Sequence, residues 1–224
     1  MTKEEQQTEK RLLDLARTAY QRGIVTYSDF LNLNEQNILY DIRRELSYLK
    51  VESFGGYETA ERQMAAFVPD ALLFCPEYPI ACIRLTPFHK KFAESLSHRD
   101  YLGAVLNLGL DRSKTGDILV EEDEAFLFCQ AGIADFICGN LTRIRHTAVT
   151  AGRVEGESFF YEPKVREITG TVASVRLDSL LSLAFGASRS SLTGLIEGGK
   201  VFVNGRLVTS NGYQPKEGDL VSVR

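Results

Sequence analysis

The chain has 224 residues, 44% of them hydrophobic and 25% charged, proportions that exclude a disordered or collagen-like polymer. Its 26 lysines and arginines stand against 30 aspartates and glutamates, a net charge of −4. Taken whole, that balance argues against a nucleic-acid protein, whose usual footprint is basic. No apolar run approaches the roughly eighteen residues of a membrane span, and the polar N-terminus has no signal-peptide core. A cytoplasmic protein without a membrane partner is expected.

Residues 1 to about 50 read as helical. Leu12, Leu13, Ala16 and Tyr20 form one apolar stripe, and Gly23 is a plausible stop. A second helix is expected from about Asn34, with Glu35 in its first turn and Ile38, Ile42, Leu46 and Leu49 along one face. Gly55-Gly56 breaks that pattern and marks a boundary, giving a helical N-terminal segment over 1–56.

From 57 to 163, short apolar runs alternate with helical pieces. Strands are predicted at 63–68, 79–85, 118–120 and 125–129, the last two around the acidic turn Glu121-Glu122-Asp123-Glu124. Helices are predicted at 101–107 and 132–141, with a strand near 146–149. That order suggests an α+β sandwich, for which a split βαβ arrangement is one solution. The cysteines, Cys75, Cys82, Cys129 and Cys138, are spaced C-x6-C and C-x8-C, unlike the C-x2-C pairs of zinc sites. Each lies close to apolar residues, so buried thiols are expected and no metal or cofactor.

The third segment, 164–224, opens with an expected entry strand through Val165, Ile168 and Val172. Leu177, Leu180, Leu181 and Ala184 then mark a short amphipathic helix stopped by Gly186. Ser188 caps a second helix with Leu192, Leu195 and Ile196 facing inward. Lys200 to Val203 and Arg206 to Val208 flank Asn204-Gly205, the dipeptide suited to a two-residue type I′ turn. Leu220 to Val223 form a last strand. Charge divides with this boundary: 164–224 carry eight basic and five acidic residues, a net +3, and the remainder carries −7.

The series Arg176-Leu177-Asp178, Ser188-Arg189-Ser190, Ile196 through Gly205 and Lys216 through Asp219 resembles the S4 RNA-binding domain. Arg189 follows a helix cap, where free backbone N–H groups and a guanidinium favour phosphate. The resemblance implies RNA contacts at Arg176, Ser188, Arg189, Ser190, Lys200 and Arg206, with Ser188 and Asn204 serving chiefly as cap and turn. The middle segment His98-Arg99-Asp100-Tyr101 through Asp111-Arg112, followed by Gly116-Asp117-Ile118, is similar to the central part of the YlmH family of bacterial S4 proteins. That resemblance implies an RRM-like α/β sandwich over 57–163 and a small C-terminal S4 domain. It also implies association with ribosomal and transfer RNA: the large ribosomal subunit and peptidyl-tRNA in rescue of stalled ribosomes, with a link to cell division. Family members often continue with a basic tail, so a chain ending at Arg224 is read as naturally short or truncated.

Within the middle segment, the strand Glu124-Ala125-Phe126-Leu127-Phe128 lacks the glycine and basic residue of a base-stacking RRM strand, so Phe126 and Phe128 are expected in the core. The basic residues His98, Arg99, Arg112 and Lys114 are the candidate RNA contacts there, with Asp100 and Asp111 as competing partners for the arginines. No nucleotide-binding signature or Gly-rich methyltransferase loop is recognisable, and His98 beside Asp100 lacks a third orienting group. A non-catalytic RNA-binding protein with no small-molecule substrate is expected. An RNA-modifying enzyme docked by its S4 domain, or a protein-interaction adaptor in cell division, are the alternatives.

Overall fold

The computed structural model describes residues 2–72, 75–89, 94–122, 124–154, 161 and 165–223. The chain forms two compact units, 1–161 and 162–224. Helix α1 (Lys3–Arg22) begins with a reciprocal cap: Glu5 N donates to Thr2 Oγ1 at 3.2 Å and Thr2 N to Glu5 Oε2 at 2.8 Å. It ends at Gly23, whose φ of 64° suits a residue without Cβ. Strand β1 (Thr26–Leu31) follows, then α2 (Leu33–Ile42), β2 (Leu49–Phe54) and β3 (Gln63–Pro69). The three strands form an antiparallel sheet in the order β1-β3-β2. Leu12, Ala16 and Ala19 of α1 pack with Ile38, Leu39 and Ile42 of α2 onto Leu31, Ala65 and Phe67.

Three expectations change here. The N-terminal segment contains its helices but also β1 and β2, and the strand at 63–69, expected with the middle segment, is the centre of this first sheet. The second helix is capped by Asn32 rather than Asn34, with Glu35 returning the bond to the Asn32 N–H. Tyr20 is 62% exposed, so the buried stripe runs through Ala19 instead.

The other half of this unit is built from β4 (Ile80–Pro87), α3 (His98–Leu106), β5 (Thr115–Val120), β6 (Ala125–Gln130), α4 (Ala134–Asn140), β7 (Arg143–Ile144) and β8 (Thr147–Arg153). The antiparallel sheet runs β5-β6-β4-β8-β7. Leaving the two-residue β7 aside, this is a βαββαβ unit with its first and third strands central, the split βαβ arrangement of an RRM-like fold. Successive side chains on a strand alternate faces. Ile83, Leu85, Ala125, Leu127 and Cys129 accordingly bury against Tyr101, Val105, Ala134 and Ile137 on the helix-covered side.

The opposite face presents Cys82, Phe128 and Leu119, and the N-terminal half covers part of it. Tyr57 and Ala60 pack on Phe128, with the Tyr57 and Phe128 ring centroids 5.0 Å apart. The approach requires glycine: Gly56 has φ of 104°, and a Cβ there would stand 2.3 Å from Phe128 Cδ1. Phe128 is thus a core residue, as the sequence suggested, whereas Phe126, expected in the core with it, is only half-buried. The cysteine expectation holds less evenly. Cys129 is buried, Cys82 and Cys138 are half-buried, and Cys75 is exposed.

In the second unit, α5 (Leu177–Phe185) and α6 (Arg189–Glu197) pack on a small antiparallel sheet of β9 (Val201–Val203), β10 (Arg206–Leu207) and β11 (Val221–Val223), in the order β10-β9-β11. Leu177, Leu181, Leu192, Ile196, Val201 and Val203 form the core. Asn204 (φ 50°) and Gly205 (φ 76°) make the expected turn. The expected entry strand is absent among the described residues of 165–176, and Val165 is 86% exposed.

Candidate nucleic-acid interface

The α6 N-terminus is organised by Ser188, whose Oγ accepts from Ser191 N at 3.4 Å, while Ser191 Oγ donates to the Ser188 carbonyl at 2.8 Å. Ser190 Oγ lies 3.1 Å from Ser188 Oγ. Arg189, the first helical residue, is exposed along with Ser188, Ser190 and Ser191. Backbone N–H groups of a first helical turn have no intrahelical acceptor, so this exposed end favours an anion.

Arg176 caps the start of α5 and is held by Asp178, with Nε donating to Oδ1 at 3.1 Å. Burial works against the Asp178 carboxylate, but the Arg176 guanidinium, the Ser179 N–H and the Arg189 charge outweigh it and hold its pKa below the ordinary value. Arg176 is the direct partner of that carboxylate, and Arg189 acts on it only through space. Lys200 and Arg206 are both exposed but stand at opposite ends of the β9–β10 hairpin, about 10 Å of strand apart at 3.3 Å per residue. The six S4 positions form a broad surface rather than one tight cluster.

The middle candidates divide differently. Arg112 turns inward: its NH1 donates to the Thr115 carbonyl at 2.7 Å, Thr115 Oγ1 at 2.6 Å and the Gly116 carbonyl at 2.9 Å. Burial and the neighbouring Arg62 charge lower its pKa to about 10. Lys114 Nζ donates to Asp29 Oδ1 at 2.6 Å, and Gln130 Nε2 shares that oxygen at 2.7 Å. Lys114 and Gln130, both bonded to Asp29 of β1, tie the two halves of the first unit together, whereas the Arg112 side chain braces its own turn. His98 is exposed at the first position of α3, and desolvation of its ring with the nearby Arg112 charge lowers its pKa. Asp100 does not orient it; its carboxylate accepts from Ser97 N at 2.8 Å and Ser97 Oγ at 2.6 Å.

Arg99 is exposed on the same turn. Sequence reasoning passed over its neighbours in space, Arg143 and Arg145, although Arg143-Ile144-Arg145-His146 is a legible basic turn. Arg145 has φ of 52°, and its NH1 lies 3.5 Å from Asp100 Oδ1. No group of three or more metal-ligating side chains occurs among the described residues, and none of their helices is long and apolar enough to cross a membrane.

Comparison with known proteins accounts for nearly the whole chain. Residues 4–72 match the family model of the YlmH N-terminal domain, 76–158 that of the RNA-binding domain in YlmH, and 175–221 that of the S4 domain. The first limit agrees with the β1-β3-β2 sheet, which keeps β3 with the N-terminal half. A solved structure, the cell division protein ylmH from Streptococcus pneumoniae, superposes with a TM-score of 0.56 at 22% identity, covering 69% of this chain and 93% of that one. The Ribosome-associated protein quality control protein P2 of Bacillus subtilis (strain 168) is 31% identical over 216 residues, 95% of this chain and 82% of the relative. An RRM-like sheet, an S4 unit and an identity of that extent lead to one assignment: the chain belongs to the YlmH family.

Proposed function

We propose that this protein is a non-catalytic factor that binds structured RNA on the large ribosomal subunit, next to peptidyl-tRNA on stalled ribosomes. The observation that carries the reading is the exposed, Ser188-capped helix start bearing Arg189, set in the unit of the chain with a net positive charge. The name of the Bacillus subtilis relative, a ribosome-associated quality control protein, supports the same setting. The non-catalytic reading rests on Asp100, which is engaged by Ser97 and Arg145 instead of forming a dyad with His98.

The test is co-sedimentation of the full chain with purified large subunits across a salt series. Exchanging Arg189 and Lys200 for glutamate is expected to abolish retention at moderate salt. Wild-type retention by that double variant refutes the reading. Nucleoside mass mapping of RNA from a deletion strain, showing no lost modification, is the expected result for a non-catalytic factor.

A further inference from the structure

The sheet face on which an RRM ordinarily stacks bases is partly closed in this chain, because Tyr57 lies over Phe128 on central strand β6. On the helix-covered side, a groove of about 470 Å3 runs between α3 and the β7–β8 turn, with Arg99, Asp100, Asn107, Asn140, Arg143 and Arg145 in its walls. Three arginines thus line one concavity. Arg99 and Arg143 are exposed, and neither has a carboxylate within ion-pair distance among the described residues. Arg145 is pre-positioned by its left-handed backbone and by Asp100 and Glu94, at 3.5 and 3.9 Å.

The lining contains no aromatic side chain, so it offers no platform for a base. It does offer planar, forked donors, which suit phosphate oxygens. Gly103 and Ala104 form part of the wall, and a Cβ added at Gly103 would meet nothing within 4 Å, which leaves room for a backbone to approach.

We propose that this groove is a second RNA contact, reading the phosphodiester backbone without base preference, on the helix side of the RRM-like domain. The inference rests on the RNA-binding reading above and extends it to a surface outside the S4 unit. Phosphate neutralisation makes affinity fall with salt in proportion to the number of contacts, so the slope of log affinity against log salt counts them.

The experiment measures binding of a labelled RNA stem-loop to the full chain over a salt series, for wild type, R99E/R143E, R99K/R143K and R189E/K200E. R99E/R143E is expected to weaken binding about tenfold and flatten the slope by about two, with R99K/R143K retaining the wild-type slope. Unchanged affinity and slope in R99E/R143E, with binding lost in R189E/K200E, overturns the groove and leaves the S4 reading standing. The reverse pattern supports the groove and overturns the S4 reading. A loss reproduced in full by R99K/R143K marks a packing effect and also overturns the groove, and no binding by wild type overturns both. Should the double reversal fail to fold, R143Q reads the same quantity through a slope change of about one; no change there is equally decisive against the proposal.

Discussion

The Tyr57 hydroxyl donates to Asp117 Oδ2 at 2.8 Å, joining the loop after β2 to strand β5 across the two halves of the first unit. The same carboxylate accepts from Glu61 N at 2.7 Å and Arg62 N at 3.1 Å. Arg62 continues the joint, donating from Nε to the Thr115 carbonyl at 3.0 Å and from NH2 to the Phe30 carbonyl at 3.0 Å. Burial, then the Asp117 charge, raises the Tyr57 pKa well above its ordinary value. One carboxylate thus serves three donors from a single loop.

Replacing Asp117 by Ala is therefore expected to destabilise this unit by about 2–4 kcal/mol, since three donors lose their acceptor. Thermal unfolding followed by near-ultraviolet circular dichroism checks it, and a melting temperature within a degree of wild type contradicts it. Y57F, which loses one donor, is expected to cost about 1 kcal/mol.

The S4 unit has its own single-residue keystone. Asn204 holds a left-handed turn position, donates from Nδ2 to Asp219 Oδ1 at 2.8 Å, and accepts from Leu220 N at 2.9 Å. N204A is expected to lose about 2–3 kcal/mol through backbone strain and two hydrogen bonds. Amide exchange across β9 and β11 should accelerate, while exchange in β4 and β6 stays at the wild-type rate.

Acid stability should depend on Arg176. Asp178 is held below its ordinary carboxylate value of 3.8, so its ionised form stabilises the fold above that pH and the contribution disappears as pH falls through the native-state value. R176Q is expected to cost up to about 1 kcal/mol at neutral pH, because the guanidinium is partly solvent-screened. The stability curves of variant and wild type should converge below pH 3.8. A difference that persists unchanged in acid means that Arg176 acts through packing.

Thiol chemistry should separate the four cysteines. Burial pushes the Cys82 and Cys129 thiols up to about 12, which suppresses the reactive thiolate, whereas Cys75 is exposed. A brief iodoacetamide pulse on native protein, read by peptide mass, should modify Cys75 first and Cys82 and Cys129 only after unfolding. Equal labelling of all four would show that burial does not govern their reactivity.

Much of this fold was legible because local chemistry and tertiary need coincided. Ser188, Gly186 and Asn204-Gly205 punctuate the S4 unit at the positions where their caps and turns occur. Strands β1 and β2 were not legible for the opposite reason. Leu49 continues the helical spacing of Ile38, Ile42 and Leu46, yet it begins a strand, since α2 stops at Ile42 and pairing with β3 decides the rest. The polar candidates show the same limit. Arg112 and Lys114 look identical in sequence to exposed basic residues, and only the contacts with Thr115 and Asp29, the latter in a distant strand, reveal that they brace the structure. Arg143 and Arg145 join Arg99 through the packing of β7 beside α3, a proximity that no sequence spacing encodes.

Tyr57 resting on Phe128 ties together two segments that family comparison recognises separately. Cut between them, the central half would turn Ile80, Cys82 and Phe128 toward water, and the N-terminal half would leave Tyr57 and Ala60 without a surface to cover. Shuffling either piece into another protein would carry that exposed apolar patch with it. For any truncation or transplant the two halves therefore behave as one cassette, and a side chain introduced at Gly56 would disturb the packing of both at once.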